Sequence, residues 1–390
     1  MSSTSSNSET DYDIDDELDD DYDDCQIDWA YQLFNNKYIL IKKLGKGSYC
    51  SVWLAYNFNE DYFLALKIYN RCDYERGKKE LSVFDELKCK KINNIVTYNK
   101  CFNFTHEDYE DYDDKNIFLC AEMDLCGYSL YDIIKLFRDT DMRPPEDYFY
   151  QVTKNIINIL NGIHDKGYIH SDIKPENILL KKPSYVIYSI IAKIKNCMKG
   201  NYSKINKKNV NDFIKKIKNE LNKDNGKNIE TEYKYIFDGN YDVIICDMGT
   251  TIKPNSSALY KKYTIYYRAP ETILYLPYDK TYDYWSLGCT IYEMLTNTIL
   301  FDAENDLELL YNFVSRLGPL PKSIIDDSEY KYKFFNSSLE RIRGYKKIKF
   351  SPLSYELEKI NINEKNNKVI EQMLICLKYK KNERRLINFQ

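Results

Sequence analysis

The stretch YIHSDIKPENILL (168–180) sets two acids, a lysine, an asparagine and a histidine just ahead of an apolar run. Pro175 cannot lie inside a helix and pushes Lys174 toward extended geometry, so a loop that holds its polar groups outward is expected. Asp172 and Asn177 stand five residues apart, a separation at which a folded loop can aim both at one point, with the positive charge of Lys174 between them. A base, a metal ligand and a phosphate clamp could share such a loop. A polar turn before a strand accounts for any two of these residues. All five together argue against it.

Three further segments carry chemistry. LGKGSYCSV (44–52) places Gly45 and Gly47 where one strand turns into the next, so backbone N–H groups can approach phosphate oxygens with no Cβ in the way. Taken singly this G-x-G is a hairpin turn. Lys67 lies in the apolar run FLALKIYN (63–70), where a buried ammonium needs an anionic partner; nucleotide phosphates and Glu80 would supply two, and an exposed edge lysine is the alternative. IICDMGTT (244–251) ends an apolar strand on Asp247, a natural Mg²⁺ ligand, because Mg²⁺ uses one or two carboxylates and completes its shell with phosphates and water.

In this order and spacing the segments resemble the protein kinase family. H-x-D-x-K-x-x-N is similar to its catalytic loop, with Ser171 where many members carry arginine, and TIYYRAPE (264–271) and DYWSLGC (283–289) look like the end of an activation segment and the helix beneath it. The resemblance implies ATP and Mg²⁺ as cofactors. Leu44, Gly45, Lys46, Gly47, Ser48, Tyr49, Cys50, Ser51 and Val52 would cover the nucleotide, and Lys67, held by Glu80, would position its phosphates. Ala121, Glu122 and Met123 would meet the adenine, with Ala121 limiting the depth of the pocket. Asn177 and Asp247 would hold Mg²⁺, Asp172 would act as base, and Lys174 would steady the γ-phosphate. His170 and Asp283 would support the loop, Glu271 and Arg384 would form a buried ion pair, and Thr264 and Arg268 would belong to the activation segment. Because Ser171 replaces the arginine that pairs with a phosphorylated segment, activity is expected not to require phosphorylation there, with Thr264 as the acceptor to test.

The implied fold is α+β and bilobal, with a β-rich N-lobe over about 38–122 and a mainly helical C-lobe over about 123–390. YYRAPE and RLGPLP (316–321) look like the CMGC group. H-S-D, SVWLA, a spacer directly after ENILL, D-M-G in place of D-F-G, and the insert at 329–353 are most similar to the SR-protein kinases. The chain departs from that pattern at Cys50, where a third glycine would stand, in its short spacer, and in ending soon after Arg385. The implied activity is transfer of the ATP γ-phosphate to Ser/Thr hydroxyls of protein substrates, Arg/Ser-rich ones on the finer resemblance. Acids at Asp326, Asp327 and Glu329 and in HEDYEDYDD (106–114) would attract such basic segments. The alternatives are a CLK- or DYRK-like kinase with other substrates and a nucleotide-binding pseudokinase scaffold. The scaffold is disfavoured because every charged part is present.

Periodicity supplies the elements that would position these groups. YILIKKLGKGSYCSVWLAYN alternates around a glycine turn as two strands, FLALKIYN and NIFLCAEMDL are further strands, and Leu81, Val83, Phe84 and Leu87 follow Glu80 at helical spacing. Residues 181–240 hold fourteen lysines against six acids and are expected to form an inserted, partly helical spacer. Residues 1–37 are expected to be an acidic, disordered tail. The first 30 contain twelve acids and no Lys or Arg, leaving 48 acids against 56 bases, a balance of +8, in the remainder.

The chain of 390 residues has room for two lobes. Its longest apolar run, YVIYSIIAKI (185–194), is too short to cross a bilayer, and the acidic N-terminus has the makings of neither a secretory signal nor a transit peptide, so a cytoplasmic or nuclear monomer is expected. Eleven cysteines without a C-x-x-C pair indicate reduced thiols rather than a disulfide framework, and three dispersed histidines leave any metal to oxygen ligands. The lysine-rich spacer lacks the interleaved aromatics of a nucleic-acid site.

Overall fold

The computed structural model describes residues 27–90, 92–105, 117–199, 205–223, 229–254, 264–358 and 364–389. The acidic run 106–114 and most of the acidic N-terminal segment lie outside the described residues.

Six strands, β1 (Leu33–Phe34), β2 (Tyr38–Lys46), β3 (Cys50–Asn57), β4 (Tyr62–Tyr69), β5 (Tyr98–Thr105) and β6 (Ile117–Met123), form an antiparallel sheet in the order β1-β2-β3-β4-β6-β5. Residues opposite one another in a register share a face. Val52 opposite Lys67, Leu54 opposite Ala65 and Tyr56 opposite Phe63 therefore line the face toward the cleft, while Trp53, Ala55, Leu64 and Leu66 line the other. That second face is covered by Trp29 and Phe34, both buried, with Trp29 edge-on to Phe34 at 5.3 Å and to Phe118 at 5.5 Å. Trp29 and Phe34 are thus packed on the sheet, although they fall within the segment expected to be a tail through residue 37. Two aromatic side chains bury enough apolar surface to hold the segment that an acid count assigned to solvent. Strand β5 escaped the sequence reading because YNKCFNFT is polar and half exposed.

Helix α1 (Tyr74–Cys89) lies on the cleft face and buries Leu81, Phe84 and Leu87 at three-residue spacing, while Val83 is half-buried. A Cβ on Gly77 would come within 2.8 Å of Leu119 Cδ2 and Tyr69 Cγ, so glycine lets the helix approach the sheet closely. Glu80, one turn later, then faces β4.

After Met123 the chain crosses to the second lobe. A Cβ at Gly127 would sit 2.0 Å from the carbonyl oxygen of Lys182, and the Gly127 N–H donates to the Leu180 carbonyl at 2.7 Å, so this crossing is pinned against the next sheet. Helix α2 (Leu130–Asp139) starts with a capping box between Ser129 and Asp132, and α3 (Tyr148–Asp165) leads to β7 (Ile178–Leu180). Residues between β7 and its antiparallel partner β8 (Val243–Ile245) form α4 (Tyr185–Cys197), α5 (Val210–Leu221) and α6 (Ile229–Ile236). The lobe continues with α7 (Pro270–Ile273), α8 (Thr281–Thr296), α9 (Asp306–Leu317), α10 (Lys322–Asp326), α11 (Lys331–Phe334), α12 (Leu353–Leu357) and α13 (Glu364–Cys376). Thirteen of the sixteen residues of α8 are buried, which makes it the axis of this lobe. The expected α+β, two-lobed fold is present. No described helix is long and apolar enough to cross a membrane, and no disulfide joins the ten described cysteines, of which Cys72, Cys89 and Cys101 are exposed rather than packed as small apolar groups.

The described residues of the lysine-rich insertion include three helices, and they do more than space two segments apart. Ile187, Ile194 and Cys197 of α4 and Val210, Phe213 and Ile217 of α5 form one buried cluster with Ile39, Ile41, Leu54, Tyr56 and Phe58 of the first lobe. Helix α6 then returns to the second lobe, where Phe237 stacks on Phe137 at 5.5 Å and the Tyr233 hydroxyl donates to the Arg143 carbonyl. Lysines occupy the exposed positions between these apolar contacts, as on any half-buried helix. The insertion is a second connection between the lobes. Phe213 is fully buried in it, and Phe213→Ala is expected to lower unfolding stability by about 3 kcal/mol in urea titration. A loss of a few tenths would mean that the insertion is only tethered.

Candidate active site

Two strand pairings bring the reactive groups together. Ile178 lies opposite Ile245, and the Cys246 N–H donates to the Asn177 carbonyl at 2.9 Å, so Asn177 and Asp247 emerge side by side at one end of the β7–β8 pair. Lys67 projects from β4 toward α1, where its Nζ lies 2.8 and 2.7 Å from the two carboxylate oxygens of Glu80. Both side chains are buried, and the Tyr69 hydroxyl adds a 2.8 Å bond to the same carboxylate. Burial alone would lower the Lys67 pKa, but the charge of Glu80 outweighs it and raises the value well above the ordinary range, so the ammonium stays charged.

The loop of residues 168–180 is held from beneath. Asp283, fully buried on α8, accepts the Ser171 N–H on Oδ1 at 2.8 Å and the His170 N–H on Oδ2 at 2.9 Å, and His164 Nε2 lies 2.7 Å from the same Oδ2. Ser171 takes φ 69°, and its hydroxyl donates to the Thr250 carbonyl at 2.6 Å. His170 is buried, with Nε2 3.0 Å from the Cys246 carbonyl and Nδ1 accepting the Asp172 N–H. Sequence reasoning assigned Asp283 and His170 to support but missed His164, which occupies the buried face of α3 among isoleucines and carries no signal of its partner 119 residues on.

Above this support, Asn177 Nδ2 donates to the Asp172 carbonyl at 2.8 Å and to Asp172 Oδ2 at 2.9 Å, which commits the amide nitrogen and leaves Oδ1 as the remaining acceptor. Lys174 Nζ lies 2.7 Å from Asp172 Oδ2 and donates to the Thr264 hydroxyl at 2.8 Å, and that hydroxyl is 3.4 Å from Asp172 Oδ1. Thr264 therefore lies inside the constellation. The motif marked it only as part of the following segment, and its 90-residue separation from Lys174 hid the contact. Arg268 forms an ion pair with Asp306 at 3.2 Å.

The glycine loop closes over the cleft, with the Gly47 N–H donating to the Cys50 carbonyl at 2.9 Å. A Cβ on Gly45 would meet no atom within 4 Å, so the chain's own packing does not demand glycine there. Asp247 adopts φ 63°, and although burial would raise its pKa, Lys67 and a hydrogen bond from Tyr49 bring it below the usual carboxylate value. A carboxylate held ionised, an amide oxygen and a buried ammonium beside them fit Mg²⁺ with a polyphosphate, which needs few protein oxygens.

At the adenine end the three expected residues lie on one strand. Ala121 and Glu122 lie inside β6, opposite Lys67 and Leu66, and the strand runs on to Met123, opposite Ala65. Glu122 points to the covered face, where Tyr38 and Tyr62 donate to it and Lys37 lies 3.3 Å away. The crossing between the lobes therefore begins at Asp124. By strand alternation Ala121 and Met123 share the cleft face, with Ala121 opposite Lys67 and Met123 nearer the crossing.

Glu271 and Arg384 form the expected buried pair, bidentate at 2.7 and 2.8 Å, and the guanidinium also donates to the carbonyls of Lys378, Thr281 and Tyr379. Every Arg384 donor direction is thereby used on the segment between α7 and the last turn of the chain.

A family model described as the protein kinase domain matches residues 38–386. The DYRK-family kinase pom1 of Schizosaccharomyces pombe is 27% identical over 302 residues, covering 77% of this chain and 22% of that protein. The probable serine/threonine-protein kinase clkA of Dictyostelium discoideum is 23% identical over 339 residues, covering 82% and 32%, and the dual specificity protein kinase CLK4 of Homo sapiens 24% over 308 residues, covering 78% and 54%. The chain spans about a quarter of the length of the first curated relatives that it matches, 22% and 26%.

Glu271→Gln keeps the shape of the pair but leaves the Arg384 guanidinium buried without a counter-charge. We expect a loss of about 3 kcal/mol in unfolding stability, read from the shift of the denaturation midpoint. A shift near zero would mean that the carbonyl acceptors suffice.

Proposed function

The chain belongs to the protein kinase family, and we propose that it is an ATP-dependent serine/threonine kinase whose acceptor site is Asp172 with Lys174, Thr264 and Asn177. The observation that carries this reading is the mutual geometry of those four side chains, assembled from two separate segments around one carboxylate. A scaffold that only bound nucleotide would have no need of it.

In this reading Asp172 accepts the proton of the substrate hydroxyl as its oxygen bonds to the γ-phosphorus, while the bond from that phosphorus to the bridging oxygen breaks and ADP leaves. Lys174 offsets charge on the transferred group, and Lys67, kept charged by Glu80, holds the other phosphates. Asp247 and Asn177 Oδ1 would hold Mg²⁺, which when bound neutralises charge on the phosphate oxygens. Residues 44–52 cover the nucleotide, with Ala121 limiting the depth of the adenine pocket. Thr264 is a positioning residue, since its hydroxyl is already engaged by Lys174 and Asp172. A phosphate there would displace both, in keeping with activity that needs no phosphorylation of this segment.

Substrate choice is the finer step. The relatives above carry DYRK and CLK names. Favouring the SR-protein kinase reading, with Arg/Ser-rich substrates, are the motif resemblances and the exposed acids Asp326, Asp327 and Glu329 at the end of α10. Those carboxylates would draw a basic strand toward the second lobe. The other acidic run, 106–114, lies outside the described residues. A cytosolic or nuclear setting goes with such substrates.

Two outcomes follow. Asp172→Asn is expected to reduce phosphoryl transfer by on the order of a hundredfold or more while leaving ATP affinity nearly intact, whereas Asp247→Asn weakens Mg²⁺-dependent nucleotide binding. Single-turnover transfer and calorimetry would separate them, and equal losses of affinity would contradict this division of roles. Arg-Ser repeat peptides should be phosphorylated far better than Ser-Pro peptides, with an advantage that shrinks as salt rises. A salt-insensitive preference for Ser-Pro would favour the CLK/DYRK-like alternative and leave the kinase reading standing.

A further inference from the structure

Tyr49, at the tip of the glycine loop, is buried although the loop itself is largely exposed. Its hydroxyl donates to Asp247 Oδ1. Its ring is held from α1, where the Arg76 guanidinium carbon lies 3.8 Å from the ring centroid, and the Lys67 ammonium is 5.5 Å from it. A backbone bond from the Asn70 N–H to the Tyr49 carbonyl, 2.9 Å, anchors the residue to the end of β4. A Cβ placed on Gly249 would be 3.5 Å from the Tyr49 hydroxyl, 3.4 Å from Asp247 Oδ1 and 3.5 Å from Glu80 Oε2. The hydroxyl therefore sits directly over the Met-Gly turn, where loop, helix and Asp247 meet.

We propose that Tyr49 is a latch on Asp247: in the nucleotide-free protein its hydroxyl occupies the carboxylate oxygen that Mg²⁺ would use, and the loop must lift before the metal can bind. The inference rests on the reading of Asp247 as a metal ligand. A hydrogen bond to an ionised carboxylate in a buried place is among the stronger neutral-to-charged bonds. Cation–π contact with Arg76 keeps the ring in position while the bond is made. The latched state does not compete with the nucleotide's base or sugar, only with the metal at Asp247. It therefore lowers the apparent affinity for Mg²⁺–nucleotide by the fraction of molecules that are latched, and leaves metal-free nucleotide binding largely alone. It also joins three elements that must move together, since lifting the loop withdraws the ring from Arg76 on α1 and the hydroxyl from Asp247 in one step.

The test is calorimetric titration of ADP into the full chain, in Mg²⁺ and in EDTA, for the wild type, Tyr49→Phe and Arg76→Ala. The quantity read is the factor by which Mg²⁺ tightens binding. Tyr49→Phe removes the hydroxyl and keeps the ring, and Arg76→Ala keeps the hydroxyl and removes the clamp. Each should enlarge the Mg²⁺ factor about threefold or more, with the EDTA affinity little changed, and the double variant should gain less than the product of the two because both act on one contact. Thermal unfolding of each variant confirms that it is folded. Equal Mg²⁺ factors in wild type and Tyr49→Phe, or a smaller factor in the variant, would overturn the latch and leave the kinase reading in place. Failure of the wild type itself to bind ADP with Mg²⁺ would overturn that reading and the latch with it.

Discussion

A carboxylate shut away from solvent, Asp283, holds the working part of this molecule in shape. A carboxyl group in that position has a place only if its oxygens find partners, and they do: Oδ1 takes the Ser171 N–H, and Oδ2 takes the His170 N–H and lies against the ring of His164. Those bonds fix Ser171 in a left-handed conformation that costs a non-glycine residue about 1 kcal/mol or more and would relax without them. The turn at Ser171 in turn sets the direction of Asp172. The remaining contacts of the site, from Asn177, Lys174 and Thr264, are made to a carboxylate whose place α8 has already decided. Because α8 is buried almost all round, that place is rigid.

The other half of the cleft depends on a second buried charge. Lys67 and Glu80 are each costly to bury, and each is tolerable only with the other. Their meeting requires α1 to lie close to the sheet, which Gly77 allows, and requires Leu81, Phe84 and Leu87 to hold it there. Helix α1 thus carries one partner, and the sheet carries the other. Tyr49 binds to the same pair of elements through Arg76 and reaches Asp247, so the state of the glycine loop and the position of α1 are physically linked. The insertion adds a further constraint, since α4 and α5 share a buried cluster with the first lobe while α6 packs on the second. Motion between the lobes has to deform that cluster as well as the crossing at Asp124–Gly127.

Much was legible in the sequence because it is written locally. The loop 168–180, the strand that ends on Asp247, the G-x-G turn and the lysine inside an apolar strand each declare their residue types within a few positions, and their order names the fold. The ion pair of Glu271 and Arg384 was also legible from motifs alone, and it forms with both oxygens and both terminal nitrogens engaged. Less was legible where the outcome depends on distant partners. FLCAEMD reads as a strand, but only the pairing of Ala121 with Lys67 and of Met123 with Ala65 shows how far it runs and what it faces. The segment before β2 is a related case. Acid content describes what a segment prefers on its own and is blind to Trp29 finding Phe118 across the sheet.

The sequence by itself therefore determined which groups could react, which side of each strand and helix is apolar, and the family to which the chain belongs. These follow from residue type and from periods of two and 3.6 residues, which are properties of a single segment. Tertiary structure alone decided that Thr264 sits between Lys174 and Asp172, that His164 reaches Asp283, that Tyr49 lies on Asp247, and that a lysine-rich insertion braces the first lobe. Each of those contacts joins residues far apart in the chain. No local pattern can encode them, because the partner of a buried polar or apolar group is chosen by the whole packing that removes both from water.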